Sequence, residues 1–239
     1  MKLNEILRKT SQGFTGPAAP ELFQPEFNKL LKPLSGTLKY YYDEEDGVHL
    51  VQIIDTGIKF EPKTRYHEQL AERFNGEIYR VLADLTLNDA SDLFPFAAIQ
   101  VDSIYVDKDF QNKGYAKLAY KVAFKETKAT LVAGNNQTPG GRRNWVGLDK
   151  MPEVEVIGYI RLLPRDIEDS EIMEKVLERG GQYEGKRGKY HFFLFEAFKS
   201  ADGNEMTIDH ENVIKLYHDV TGTAKGINSE VGLLARWIG

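Results

Sequence analysis

The chain has 239 residues, of which 41% are hydrophobic and 28% charged, a balance that buries a real core and excludes wholesale disorder. At ~100–200 residues per domain it predicts one large domain or one domain with sizeable extensions. Thirty-one Lys plus Arg against 36 Asp plus Glu give a net charge of −5, which argues against a primary non-specific role on nucleic acid or anionic membrane. With no cysteine, disulfides, thiolate metal sites and cysteine nucleophiles are excluded, and a reducing compartment fits.

The N-terminal MKLNEILRKTSQGF lacks the apolar stretch of a signal peptide, and no run approaches the ~18–20 apolar residues of a membrane span. A soluble, cytoplasmic protein without membrane association is the expectation. Leu3, Ile6 and Leu7 recur at helical spacing, and Gly13, Gly16, Pro17 and Pro20 then interrupt any regular element. Leu22, Phe23, Phe27, Leu30 and Leu31 repeat the helical stripe up to Pro33. Residues 1–36 therefore read as a helical extension packed on a core formed later.

LKYYYDEEDGVHLVQIID predicts two strands joined at Asp46-Gly47, since both residues of that dipeptide tolerate the positive φ of a tight hairpin. Thr64 to Phe74 reads as a capped helix, EIYRVLADLTL as a strand and, after Pro95, AAIQVDSIYV as another. The helix GYAKLAYKVAFKET, the short strand ATLVAG and a helix opening near Thr138-Pro139 follow. EVEVIGYIRLL and KYHFFLFEAF are strands on either side of a helix around Asp166–Arg179. A helix from about Asp209 to Val220 precedes an amphipathic end with Leu233, Leu234 and Trp237. The expectation is an α/β protein with a mixed, mostly antiparallel sheet over residues 37–198, and a helical extension at 199–239.

The stretch that bears chemistry is IQVDSIYVDKDFQNKGYAKLAYKVAF. A strand ends at Val106, a polar loop follows, and Gly114 opens an amphipathic helix. Unpaired backbone N–H groups at a helix start attract phosphate or pyrophosphate. Gly114 permits close approach of the anion, and Lys113 adds positive charge.

Gln111-Asn112-Lys113-Gly114-Tyr115-Ala116 resembles the Q/R-x-x-G-x-G/A signature of the GNAT superfamily of acyl-CoA-dependent N-acyltransferases, in the same strand-loop-helix context. The resemblance covers about residues 37–163 and extends to the strand near 190–198. It implies that this loop holds the pyrophosphate of acetyl-CoA and that backbone groups of Ile104 to Val106 meet the pantetheine arm. It also implies that this strand splays from its neighbour, leaving backbone groups to polarise the acyl carbonyl as an oxyanion hole does. Asn135 or Asn136 matches a polar position that touches the cofactor in this family, and equally suits a turn before a helix.

Amine acylation requires a base, and Asp102 is the carboxylate within AAIQVDSIYV, where many family members carry one. A solvated or structural Asp is the alternative. Gln100 stands where some members have Glu, and an amide cannot serve as that base. The family's usual acid is a Tyr on the helix after the next strand, but TPGGRRNWVGLDK has Trp145 and no Tyr. Tyr105 or Tyr159 then substitutes, or the thiolate leaves unaided. Trp145 reads as a packing residue or as a wall of the substrate channel. Arg142 and Arg143 follow two glycines and either recognise an acidic group or stand solvated. GGRRNW with MPEVEVIGY also resembles segments of phage-encoded GNAT-like proteins.

The histidines, His49, His67, His191, His210 and His218, lack the spacing of a metal site. Tyr40, Tyr41 and Tyr42 line a groove or divide between core and surface, and GQYEGKRGKY reads as a mobile hairpin. Three functions follow from the resemblance. The first is transfer of an acetyl group from acetyl-CoA to the amine of a small molecule or protein. The second is DNA base modification of the phage Mom type, which the net charge disfavours. The third is a catalytically silent binding or virion-associated role.

Overall fold

Asp46 and Gly47 adopt φ of +54° and +75°, as a two-residue hairpin turn requires. They join β2 (Leu38–Glu45) to β3 (Val48–Lys59), paired without a slip from Leu38↔Asp55 to Glu45↔Val48. The computed structural model describes residues 21–134, 139–200, 203–222 and 230–239. The protein is α/β, with a mixed, mostly antiparallel sheet of ten strands flanked by helices. The chain divides into two compact units, one holding residues up to Asn88 with Asp102–Glu126, the other Asp89–Val101 with the chain from Thr127 onward. Among the described residues no helix is long and apolar enough to cross a membrane.

In the first unit the strand order is β1 (Lys32–Ser35), β2, β3 and β4 (Tyr79–Asp89), to which the second half of β5 (Ala98–Val106) belongs. Helix α1 (Arg65–Arg73) is capped by Thr64, whose side chain accepts the His67 N–H. Helix α2 (Tyr115–Thr127) buries Ala119, Tyr120, Val122, Ala123 and Phe124. Residues Val81–Leu87 of β4 are all buried, the mark of a strand covered on both faces. Phe23, Tyr41, Leu50, Ile54 and Val81 form one core cluster, each large apolar side chain contributing ~1.5–3 kcal/mol by leaving water.

The helical stripe from Leu22 to Leu31 resolves differently from its expectation. Only Pro25–Leu30 turns, as a 3-10 helix, while Glu21 to Phe23 hydrogen-bond to β4: Phe23 N–H donates to Tyr79 O and Val81 N–H to Glu21 O. Pro33 lies within β1, an edge strand, where the missing N–H is tolerated.

In the second unit the order is β6 (Thr130–Val132), β12 (Val231–Trp237), β7 (Val154–Leu162), β9 (Tyr190–Phe195) and β8 (Gln182–Arg187), with the first half of β5 parallel to β6. Helices α3 (Pro139–Asp149), α4 (Pro164–Glu168), α5 (Ser170–Glu178) and α6 (His210–Thr221), with the β10 (Phe198–Lys199) and β11 (Glu205–Met206) pair, complete it. The single helix expected around Asp166–Arg179 is broken at Asp169, which caps α5 by accepting the Glu171 and Ile172 amides. Ala90, Phe94, Ala98, Val132, Ile157, Tyr159, Phe192, Leu194 and Leu234 form its core.

The helical reading of the tail holds for α6, which Gly222 ends at φ +67°. It does not hold for the last stretch. Val231–Trp237 is a strand with β6 on one side and β7 on the other, paired to β7 from Val231↔Ile160 to Trp237↔Val154. Val231 through Ala235 are all buried, so the two-residue alternation that signals a half-exposed strand is missing.

Candidate functional site

In the first unit Asp102 and Ser103 are exposed, and Ile104, Tyr105 and Val106 are half-buried. Burial, then the nearby Asp107 and Glu21 carboxylates, push the Tyr105 phenol above its ordinary pKa, against the opposing pull of Arg80. The parallel ladder from β5 to β6 lies in the second unit, running from Ala98↔Thr130 to Gln100↔Val132, and β5 continues six residues to Val106.

The loop after β5 is fixed at its first residue. The Asp107 N–H donates to Leu82 O at 3.0 Å and the Phe110 N–H to Asp107 O at 2.8 Å. The Asp107 carboxylate, on a residue 3% exposed, accepts the Asp109 N–H at 3.0 Å. From Arg80, Nε reaches its Oδ2 at 2.6 Å and Nη2 its Oδ1 at 2.8 Å. Gln111 Nε2 donates to Val106 O at 3.4 Å.

Asn112 and Gly114 then take positive φ, +62° and +87°, which turns the backbone sharply into α2. The first intrahelical bond there is Leu118 N–H to Gly114 O at 3.0 Å, and the amides before it have no intrahelical acceptor by construction. A Cβ added at Gly114 would meet nothing within 4 Å, so the space above it is open. Gln111 through Gly114 are exposed, and Tyr115 and Ala116 half-buried. Lys113 Nζ lies 4.8 Å from the Phe110 ring centroid. Such a turn can present several amides and one ammonium to a diphosphate.

The same unit holds a buried polar pair that sequence reading missed. Gln52 Nε2 donates to Asp84 Oδ2 at 2.6 Å, and burial pushes the Asp84 carboxyl up to about 6 although this bond works in the opposite direction. A groove of about 540 Å3 is lined by Glu21, Phe27, Phe60, Tyr66, His67 and Leu70 among others.

The remaining expected residues belong to the second unit. Asn135 and Asn136 lie outside the described residues. Gln100 Nε2 donates to Ala133 O at 3.4 Å. Arg142 forms an ion pair with Glu211, Arg143 is exposed, and Trp145 is 3% exposed. Arg142 and Trp145 line a crevice of about 140 Å3 with His210, whose pKa is lowered by burial and then by Arg142. Tyr159 is 2% exposed in the core, edge-on to Phe94, with its phenol pKa raised chiefly by burial.

Asp102, Ile104, Tyr105, Val106 and Gln111 to Ala116 all fall in the first unit, where Gln111 bonds to Val106, and Arg142 and Trp145 line one crevice in the second. Arg80 escaped sequence reading because nothing in β4 announces a partner 27 residues on. The Asp107 cap carries a local signal, an Asp two residues before the amide it accepts. No protein-family model matches the chain, and no curated protein matches it.

Proposed function

We propose that the chain is an acyl-CoA-dependent N-acyltransferase that moves an acetyl group from acetyl-CoA to an amine. The observation that carries this reading is the loop Asp107–Ala116, tied down at Asp107 and open above Gly114, at the positions where the sequence resembles the GNAT signature.

In this reading, amides of the loop and the first turn of α2, with Lys113, bind the pyrophosphate, and backbone groups of Ile104 to Val106 bind the pantetheine arm. Asp102 accepts the proton that the amine loses as nitrogen attacks the thioester carbonyl. The C–N bond forms, the C–S bond breaks, and the thiolate leaves with CoA. Tyr105, half-exposed on β5, supplies its proton in preference to Tyr159, which is buried in the other unit's core. The Tyr105 phenol is protonated at neutral pH, and its raised pKa makes it a weaker acid than an ordinary Tyr.

A second reading, a catalytically silent CoA-binding protein, is favoured by the absence of a Tyr from α3 and by the burial of Trp145 in that helix. One experiment separates them. Calorimetry with acetyl-CoA is followed by thiol release in the presence of an amine panel, with acetylated products read by mass spectrometry. The transferase predicts binding and amine-dependent release of CoA; binding without release supports the silent protein, and no binding overturns both.

A further inference from the structure

Resting on the acyl-CoA reading above, we infer that Arg80 is the positioning residue of the phosphate-binding loop, a latch that holds Asp107–Tyr115 in its anion-ready shape. Arg80 is on β4, 27 and 29 residues from the two carboxylates that it grips. Its Nε and Nη2 fork onto both oxygens of Asp107 at 2.6 and 2.8 Å, and Nη2 also reaches Asp109 Oδ2 at 2.7 Å. The fork geometry belongs to guanidinium; an ammonium is a point charge without it.

The grip extends to the far end of the loop. The Arg80 guanidinium lies 5.2 Å from the Phe110 ring centroid, and Lys113 Nζ lies 4.8 Å from the same centroid. Phe110 in turn meets the ring of Tyr115, the first residue of α2, edge-on at 6.0 Å. One side chain from β4 therefore fixes the cap, the ring beside the lysine and the start of the helix. Its own charge is committed to Asp107 and Asp109, which raise its pKa against the effect of burial. Arg80 acts on a phosphate through the loop and does not need to touch it.

Backbone amides bind a diphosphate well only if they are already aimed. A loop that orders on binding gives up affinity to conformational entropy. Loss of Arg80 also leaves two carboxylates uncompensated at the base of an anion site, one of them buried.

The test compares the parent with Arg80→Met, Arg80→Lys and Asp109→Asn. CoA affinity is measured by calorimetry at a temperature well below each melting midpoint, and amide exchange is followed over residues 107–116. Arg80→Met is expected to weaken CoA by about 10-fold or more and to speed exchange in the loop. Arg80→Lys is expected to regain most of the melting temperature while keeping most of the affinity loss, because it restores charge without the fork. Asp109→Asn leaves the Asp107 fork in place and is expected to speed loop exchange less than Arg80→Met, and Arg80→Lys carries the affinity test if Arg80→Met does not fold. CoA bound equally by the parent and the folded variants overturns the latch and leaves the acyl-CoA reading intact. Affinities that merely follow the melting temperatures also overturn it. A parent that does not bind CoA overturns the reading, and the latch with it.

Discussion

Gln52 Nε2 donates to Asp84 Oδ2 at 2.6 Å across the β3–β4 pair, where the two residues stand directly opposite. One amide bond does not compensate a carboxylate this deeply buried, and the Asp84 pKa is pushed up to about 6 by burial. The folded state therefore holds the Asp84 proton more tightly than the unfolded chain does. The stability this contributes is fully present below the ordinary carboxyl pKa and is lost as pH rises through about 6. Asp84→Asn keeps an acceptor for Gln52 without the charge. It should match the parent near pH 4 and exceed it by about 1–3 kcal/mol at pH 8. Urea unfolding of both proteins at three pH values checks this; a difference that does not grow with pH would remove the assignment.

At Gly114 the obstacle to substitution is the backbone, since φ is +87° and the surrounding space is open. Gly114→Ala should cost about 1–2 kcal/mol of stability from the left-handed conformation. On the proposed acyl-CoA reading its methyl group would occupy the space of the phosphate, so CoA affinity should fall by about 10-fold or more. Circular dichroism confirms the fold and calorimetry reads the affinity; an unchanged dissociation constant would contradict the loop assignment.

Asp102 is exposed on the half of β5 that belongs to the first unit, so Asp102→Asn should leave folding and CoA binding unchanged. On the proposed reading, with Asp102 as the base, amine acylation should drop by about 10²–10⁴-fold, the range of general-base assistance. Steady-state thiol release with a reactive amine measures it. Undiminished turnover would move the role to water or another group.

Gly232 on β12 is pressed against the ring of Tyr159, which an added Cβ would meet at 2.8–3.0 Å. Gly232→Ala should destabilise the second unit by about 1–3 kcal/mol through overpacking. Gly232→Ala combined with Tyr159→Leu should recover part of that loss. Thermal unfolding of the two variants tests whether the last strand is a core element.

Duplex DNA should bind weakly, at or above the ~10⁻⁴–10⁻⁶ M of non-specific contacts at physiological salt. The net charge is −5, and Arg142 is already paired with Glu211. Fluorescence anisotropy across a salt series is the measurement. Submicromolar, steeply salt-dependent binding that is lost in an Arg142→Ala, Arg143→Ala variant would favour the DNA-modifying function.

The sequence by itself determined the features written in local chemistry. Asp46-Gly47 specified the β2–β3 hairpin, Thr64 the start of α1, and Asn112 to Gly114 the turn into α2. Each is legible because the residues that create the conformation are the residues that adopt it. The tertiary structure alone decided where Val231–Trp237 goes, because a strand buried on both faces has no alternation to read. It alone joined Arg80 to Asp107 and Gln52 to Asp84, pairs 27 and 32 residues apart. Pairing across strands depends on register, and register is set by the packing of the whole sheet, which no short window of sequence contains.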